Sequence, residues 1–119
     1  MAASDLQLVA GTTFAFTAQW GSNDGGEFVP VDVSGGRARF VMRDLDNGDL
    51  VAECTTEDGG IDFSDPTQGV IDVRLAPDKT RGQKARSLGS VAWELRVFMS
   101  SGDEYSLGRG FVAIVEGVM

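Results

Sequence analysis

Histidine is absent from this sequence, and cysteine occurs once, at Cys54. Without histidine the chain lacks the commonest general base, the commonest metal ligand, and every Ser–His or Cys–His pair for nucleophilic catalysis. One cysteine cannot close an intrachain disulfide, which excludes a disulfide-stapled secreted module. No apolar run approaches the ~20 residues of a helical membrane span. The first residues carry Asp5 and Gln7 in place of a basic stretch followed by an apolar one. The expectation is a chain without a signal peptide, which stays where it is made. Positive charge is scarce too, with 10 Lys and Arg against 18 Asp and Glu, a net −8. That balance repels nucleic-acid phosphates and anionic membranes and keeps the chain soluble. Proline is limited to 3 residues beside 16 glycines, as many turns between short strands require.

What is present is alternation with period two. Phe14, Phe16, Ala18 and Trp20 share one face of a half-buried strand, with Thr13, Thr17 and Gln19 on the other. A turn over 21–26 follows, then a short strand with Phe28, Val29, Val31 and Val33, which Pro30 confines to an edge or a bulge. Ala38, Phe40 and Met42 point inward between Arg37, Arg39 and Arg43. Asn47-Gly48 is a type I′ hairpin signal, and Leu50, Ala52 and Cys54 return on the partner strand. Ile61 and Phe63 pair with Ile71, Val73 and Leu75 in a second hairpin. Residues 76–90 break the pattern into a loop, with one turn of helix starting at Pro77. Trp93, Leu95, Val97 and Met99 face one way on the next strand. Tyr105, Leu107, Arg109, Phe111, Ala113 and Val115 alternate on the last, where Gly108 and Gly110 mark a bulge or a close approach. Phe14, Phe40, Trp93 and Phe111 are expected to meet in one dry interior. Seven or eight short strands with turns every 8–12 residues predict an all-β fold, a single antiparallel β-sandwich, with a closed barrel as the alternative. The expected organisation is an N-terminal arm over 1–11 and a sandwich over 12–116, with a basic loop at 76–90.

The chemistry-bearing clusters favour solvated or structural roles. Asp44, Asp46 and Asp49 surround Asn47-Gly48, but Gly48 stands one place early for a calcium loop, and Thr55 occupies the position of the closing glutamate. A solvated hairpin turn is the expectation, and the run Asn23 to Glu27 is read the same way. Asp62, Asp72 and Glu94 lie on polar strand faces, and with Asp65 they show no sign of a fixed pair across a cleft. No catalytic residue, metal ligand or cofactor site is assigned, and the chain is not expected to be an enzyme. Cys54 shares the inward face with Leu50 and Ala52 and reads as a buried thiol. Trp20 and Trp93 read as core. The basic segment Lys79, Arg81, Lys84 and Arg86 holds four of the ten basic residues. It is either a mobile, solvated loop or a candidate protein-contact patch for an acidic neighbouring subunit. No aromatic residue interleaves with it, so nucleic acid is not its expected partner.

The order of these pieces resembles the small virion proteins of tailed bacteriophages. Gly11-Thr12-Thr13-Phe14 is similar to their Gly-Asp-Thr-Phe opening, and Val31-Asp32-Val33-Ser34-Gly35 to their next step. Met42-Arg43-Asp44, Thr56-Glu57-Asp58-Gly59-Gly60-Ile61, Gln68-Gly69-Val70-Ile71 and Leu75-Ala76-Pro77-Asp78-Lys79-Thr80 follow in register. Trp93-Glu94-Leu95-Arg96-Val97 and Leu107-Gly108-Arg109-Gly110-Phe111-Val112 complete the series. The chain departs from the pattern at Thr12, at 81–87 and at Arg96. The resemblance implies an immunoglobulin-like structural protein of the virion, synthesised in the host cytoplasm. It implies an adaptor or attachment module on the tail, baseplate or fibres, with other virion proteins as partners in a symmetric assembly. Alternatives are a capsid decoration protein and a carbohydrate-binding module for host-surface glycans, with Tyr105, Phe98 and Phe28 as its aromatic candidates.

Overall fold

The structure, a computed structural model, describes residues 2–3 and 5–118. Its strands, in chain order, are β1 (Ala2–Ala3), β2 (Leu6–Val9), β3 (Phe14–Gln19), β4 (Gly21–Asp24), β5 (Glu27–Pro30) and β6 (Arg37–Asp44). β7 (Leu50–Thr55), β8 (Ile61–Asp65), β9 (Val70–Leu75), β10 (Arg86–Phe98) and β11 (Glu104–Val115) follow. The larger sheet runs β11-β10-β6-β7, with β1 and β2 both added to the outer edge of β11. The smaller sheet runs β3-β9-β8, and β4 and β5 form a separate hairpin. This is an all-β sandwich with the Greek-key strand order of immunoglobulin-like domains.

The inward face of each strand follows from its alternation. On β6, Ala38, Phe40 and Met42 are buried while Arg37, Arg39 and Arg43 are exposed. On β10, Val91, Trp93, Leu95 and Val97 are buried, and Ile71, Val73 and Leu75 of β9 face them from the smaller sheet. An aromatic cluster bridges the layers where many immunoglobulin domains place a disulfide. Phe16 of β3 lies 5.4 Å from Phe40 and 6.4 Å from Trp93, and Phe40 and Trp93 are 5.8 Å apart. Cys54 is fully buried within this core, and burial, then the nearby Asp58 carboxylate, push its thiol up to about 12.

Several expectations need correction. Residues 6–9 of the expected arm are themselves a strand: β2 pairs in parallel with β11, Leu6 opposite Val112 and Leu8 opposite Ile114, and Leu8 is buried. The larger sheet is therefore mixed, not wholly antiparallel. Met1 and Ser4 of that expected arm lie outside the described residues. Phe111 points to solvent, and Val112 and Ile114 are buried in its place. The cause is a bulge: Leu95 pairs with Gly108 but Arg96 pairs with Ser106, so Leu107 is the extra residue. One inserted residue flips every later side chain to the other face. The Asn47-Gly48 turn is longer than a type I′ turn. Only Gly48 has positive φ (77°), and the loop closes through Asp44 N–H to Asp49 C=O at 2.8 Å. β5 ends at Pro30, and Val33 is buried from a loop rather than from a strand. The expected helical turn is a single 3-10 turn over Pro77–Lys79, and the loop ends where β10 begins at Arg86.

Candidate interaction face

The outer face of the larger sheet is built in cross-strand rows by its register. Arg43 lies opposite Leu50, Ala92 opposite Arg43 and Phe111 opposite Ala92. The next row is Glu53, Val41, Glu94 and Arg109, and the next Thr55, Arg39, Arg96 and Ser106. Arg37, Phe98 and Glu104 form the last. The face therefore carries five arginines against three glutamates on a chain of net charge −8. It encloses a shallow concavity of about 850 Å³, lined by apolar Val41, Leu45, Phe98 and Phe111 among the charges.

These charges hold one another in place. Arg39 is ion-paired with Glu53, and Arg96 reaches Glu94 at 3.0 Å and Glu104 at 3.6 Å. Partial burial alone would raise the Glu94 carboxyl. Hydrogen bonds from Ser106 and Arg96, with the charges of Arg96 and Arg109, outweigh it and hold Glu94 below its ordinary value. The Arg37 guanidinium sits 5.3 Å from the centre of the Phe98 ring. At the opposite end Leu45 is 54% and Phe111 42% exposed. Aromatic and arginine side chains around an apolar centre are the composition of protein interface hot spots. Sequence reasoning missed this face because it counted Phe111 as core. The alternation of Arg37, Arg39 and Arg43 with buried residues was the signal available.

The basic segment lies elsewhere, and most of its charge is spent within the chain. Lys79 bonds Asp58 at 3.4 Å and Arg81 bonds Asp78 at 3.5 Å. Arg86 is ion-paired with Asp44, whose carboxylate is buried and also accepts the N–H groups of Asp46 (2.8 Å) and Asn47 (3.3 Å). Asp44 thus anchors the β6–β7 hairpin, and Lys84 stands exposed. Asp58 also binds the backbone N–H groups of Thr55 and Gly60. Burial opposes its charge, but these bonds and Lys79 hold its carboxyl below the ordinary value. The three candidate sugar-stacking aromatics share no surface. Phe98 is on the outer face under Arg37, Tyr105 leans inward on Trp20 at 5.2 Å, and Phe28 is on the β4–β5 hairpin.

No family model matches the chain, and no curated protein matches it. Among solved structures, CopC from Methylosinus trichosporium OB3b is similar at 15% identity over 97% of this chain and 87% of that one, with a TM-score of 0.44. Murine CRIg is similar at 7% identity over 95% of this chain and 92% of that one, with a TM-score of 0.37. At these values neither likeness says anything about ligands or partners.

Proposed function

We propose that this chain is a non-catalytic structural protein of a tailed-phage virion, an adaptor that docks a neighbouring virion subunit on the outer face of its larger sheet. The observation that carries the reading is that face: exposed Phe111 and Leu45 beside a lattice of arginines, on a protein otherwise strongly acidic. A solvated, purely structural sheet face has no need of exposed aromatic and leucine side chains next to arginines that prefer bidentate partners. The ordered motif string from Gly11 to Val112 supports the virion assignment. The partner is another virion protein with carboxylates around an apolar contact, and copies of the adaptor repeat with the symmetry of the particle. The segment with Lys79, Arg81, Lys84 and Arg86 is the lesser contact, since three of its charges already have intrachain acids.

Mass spectrometry of purified particles tests the assignment, and absence of the chain from them overturns it. Cryo-electron microscopy of the same particles separates a tail or fibre position from head decoration by location. Glycan recognition is the weaker alternative, because its aromatic candidates lie on different surfaces.

A further inference from the structure

A second surface, independent of that face, lies along the free edge of β3. β3 ends the smaller sheet, and its only strand partner among the described residues is β9. Trp20 N–H bonds Gly69 C=O at 2.9 Å, while Trp20 C=O accepts the Val31 N–H at 3.0 Å, so in the antiparallel ladder Ala18, Phe16 and Phe14 direct their backbone groups to β9. Ala15, Thr17 and Gln19 then direct theirs to the open side. β3 has no charge, no proline and no register shift, the devices that normally blunt an edge. By contrast β8 carries Asp62 and a register shift, and β7 carries Glu53 and another.

The edge also has a ledge beside it. The ring contacts of Phe14 and Phe16 place β3 over β6 and β10, while β11 and β2 extend the larger sheet beyond it. On that side apolar groups facing the interior stay only half covered: Phe16, Ala18 and Trp20 from one wall, Leu6 and Leu107 from the other. The inward residues of β9, next door, are fully buried.

We propose that this slot binds an extended segment of a partner protein, which adds to β3 as a strand and buries alternate side chains on the ledge. The larger sheet extends past this edge through β11 and β2, which leaves less room beside β3 for a second folded copy than for one extended strand. Charge sets the rest of the chemistry. The outer face of the smaller sheet carries Asp62 and Asp72 against one cation, Arg74 opposite Ala15, and Asp72 accepts the Thr17 hydroxyl at 2.7 Å, so the face is acidic on balance, as is the whole chain. The bound segment therefore alternates apolar residues inward with lysine or arginine outward.

The test is amide hydrogen exchange by NMR on the full chain, with an acetylated peptide of alternating valine and lysine as probe. Without peptide, the N–H groups of Ala15, Thr17 and Gln19 should exchange at least about 100-fold faster than those of Phe16 and Ala18. Peptide should slow those three and leave Phe16 and Ala18 unchanged. A peptide with proline at its centre should bind about tenfold more weakly or worse. Ala15→Pro removes an edge N–H without touching the β9 ladder and should cost at least as much, and Thr17→Pro, which also removes the hydroxyl bond to Asp72, serves if that variant does not fold. The proposal is overturned by edge amides already protected in the free monomer, by no added protection at about millimolar peptide, or by equal protection by the proline peptide. Protection that grows with protein concentration alone also overturns it, since the occupant is then a second copy.

Discussion

Replacing Asp44 by alanine is expected to destabilise the domain by about 3 kcal/mol. The carboxylate is 8% exposed and accepts three donors: two backbone N–H groups of its own loop and the Arg86 guanidinium. Breaking a buried ion pair by deleting one partner costs about 3–5 kcal/mol. Arg86 is 28% exposed and regains some water, which brings this share to about 2 kcal/mol. The two N–H groups sit at the edge of an exposed hairpin and lose about 0.5 kcal/mol each. Against a total of about 5–15 kcal/mol this is a large fraction, equivalent to a melting point lower by roughly 10 °C. Urea unfolding followed by tryptophan fluorescence measures it. Asp44→Ala, Arg86→Met and the double variant form a cycle whose coupling should be about 1–2 kcal/mol. A loss under about 0.5 kcal/mol for Asp44→Ala, or no coupling, would refute the pairing and return Arg86 to the pool of free surface cations.

Phe40→Ala should cost about 4 kcal/mol by calorimetry, since Phe40 is fully buried and touches Phe14, Phe16 and Trp93; a loss below about 1 kcal/mol would deny the aromatic cluster its place in the core. Asp58 and Glu94 have folded-state carboxyls held below 3.8 and 4.5 respectively, so the stability they contribute is present above those values and is lost as pH falls through the lowered ones. Urea midpoints measured from about pH 6 to about pH 3 should therefore fall less steeply for Asp58→Asn than for the parent chain. Cys54 should resist alkylation until urea unfolds the domain, and fast labelling of the native protein would contradict its burial. Phe111→Asp should leave stability within about 0.5 kcal/mol but remove the chain from particles, and normal incorporation would exclude the outer face as the dock.

Alternation along each extended segment was enough to read the sandwich, the inward set on β6, β9 and β10, and the burial of Cys54, because a strand places neighbours on opposite faces whatever it pairs with. Turn chemistry located the hairpins but not their lengths: Asn47-Gly48 marks a bend, while the buried Asp44 carboxylate decides how many residues close it. The interaction face was half legible, since Arg37, Arg39 and Arg43 share a face by simple count while Phe111 was assigned to the wrong one. The Leu107 bulge is the reason, because an extra residue leaves no mark in composition and reverses the phase of everything after it. The pairing of β2 with β11 and the reach of Arg86 to Asp44, 42 residues away, were beyond any local pattern. Such contacts depend on which strands lie side by side, and that is settled by how the two layers cover each other's apolar surface rather than by any one segment.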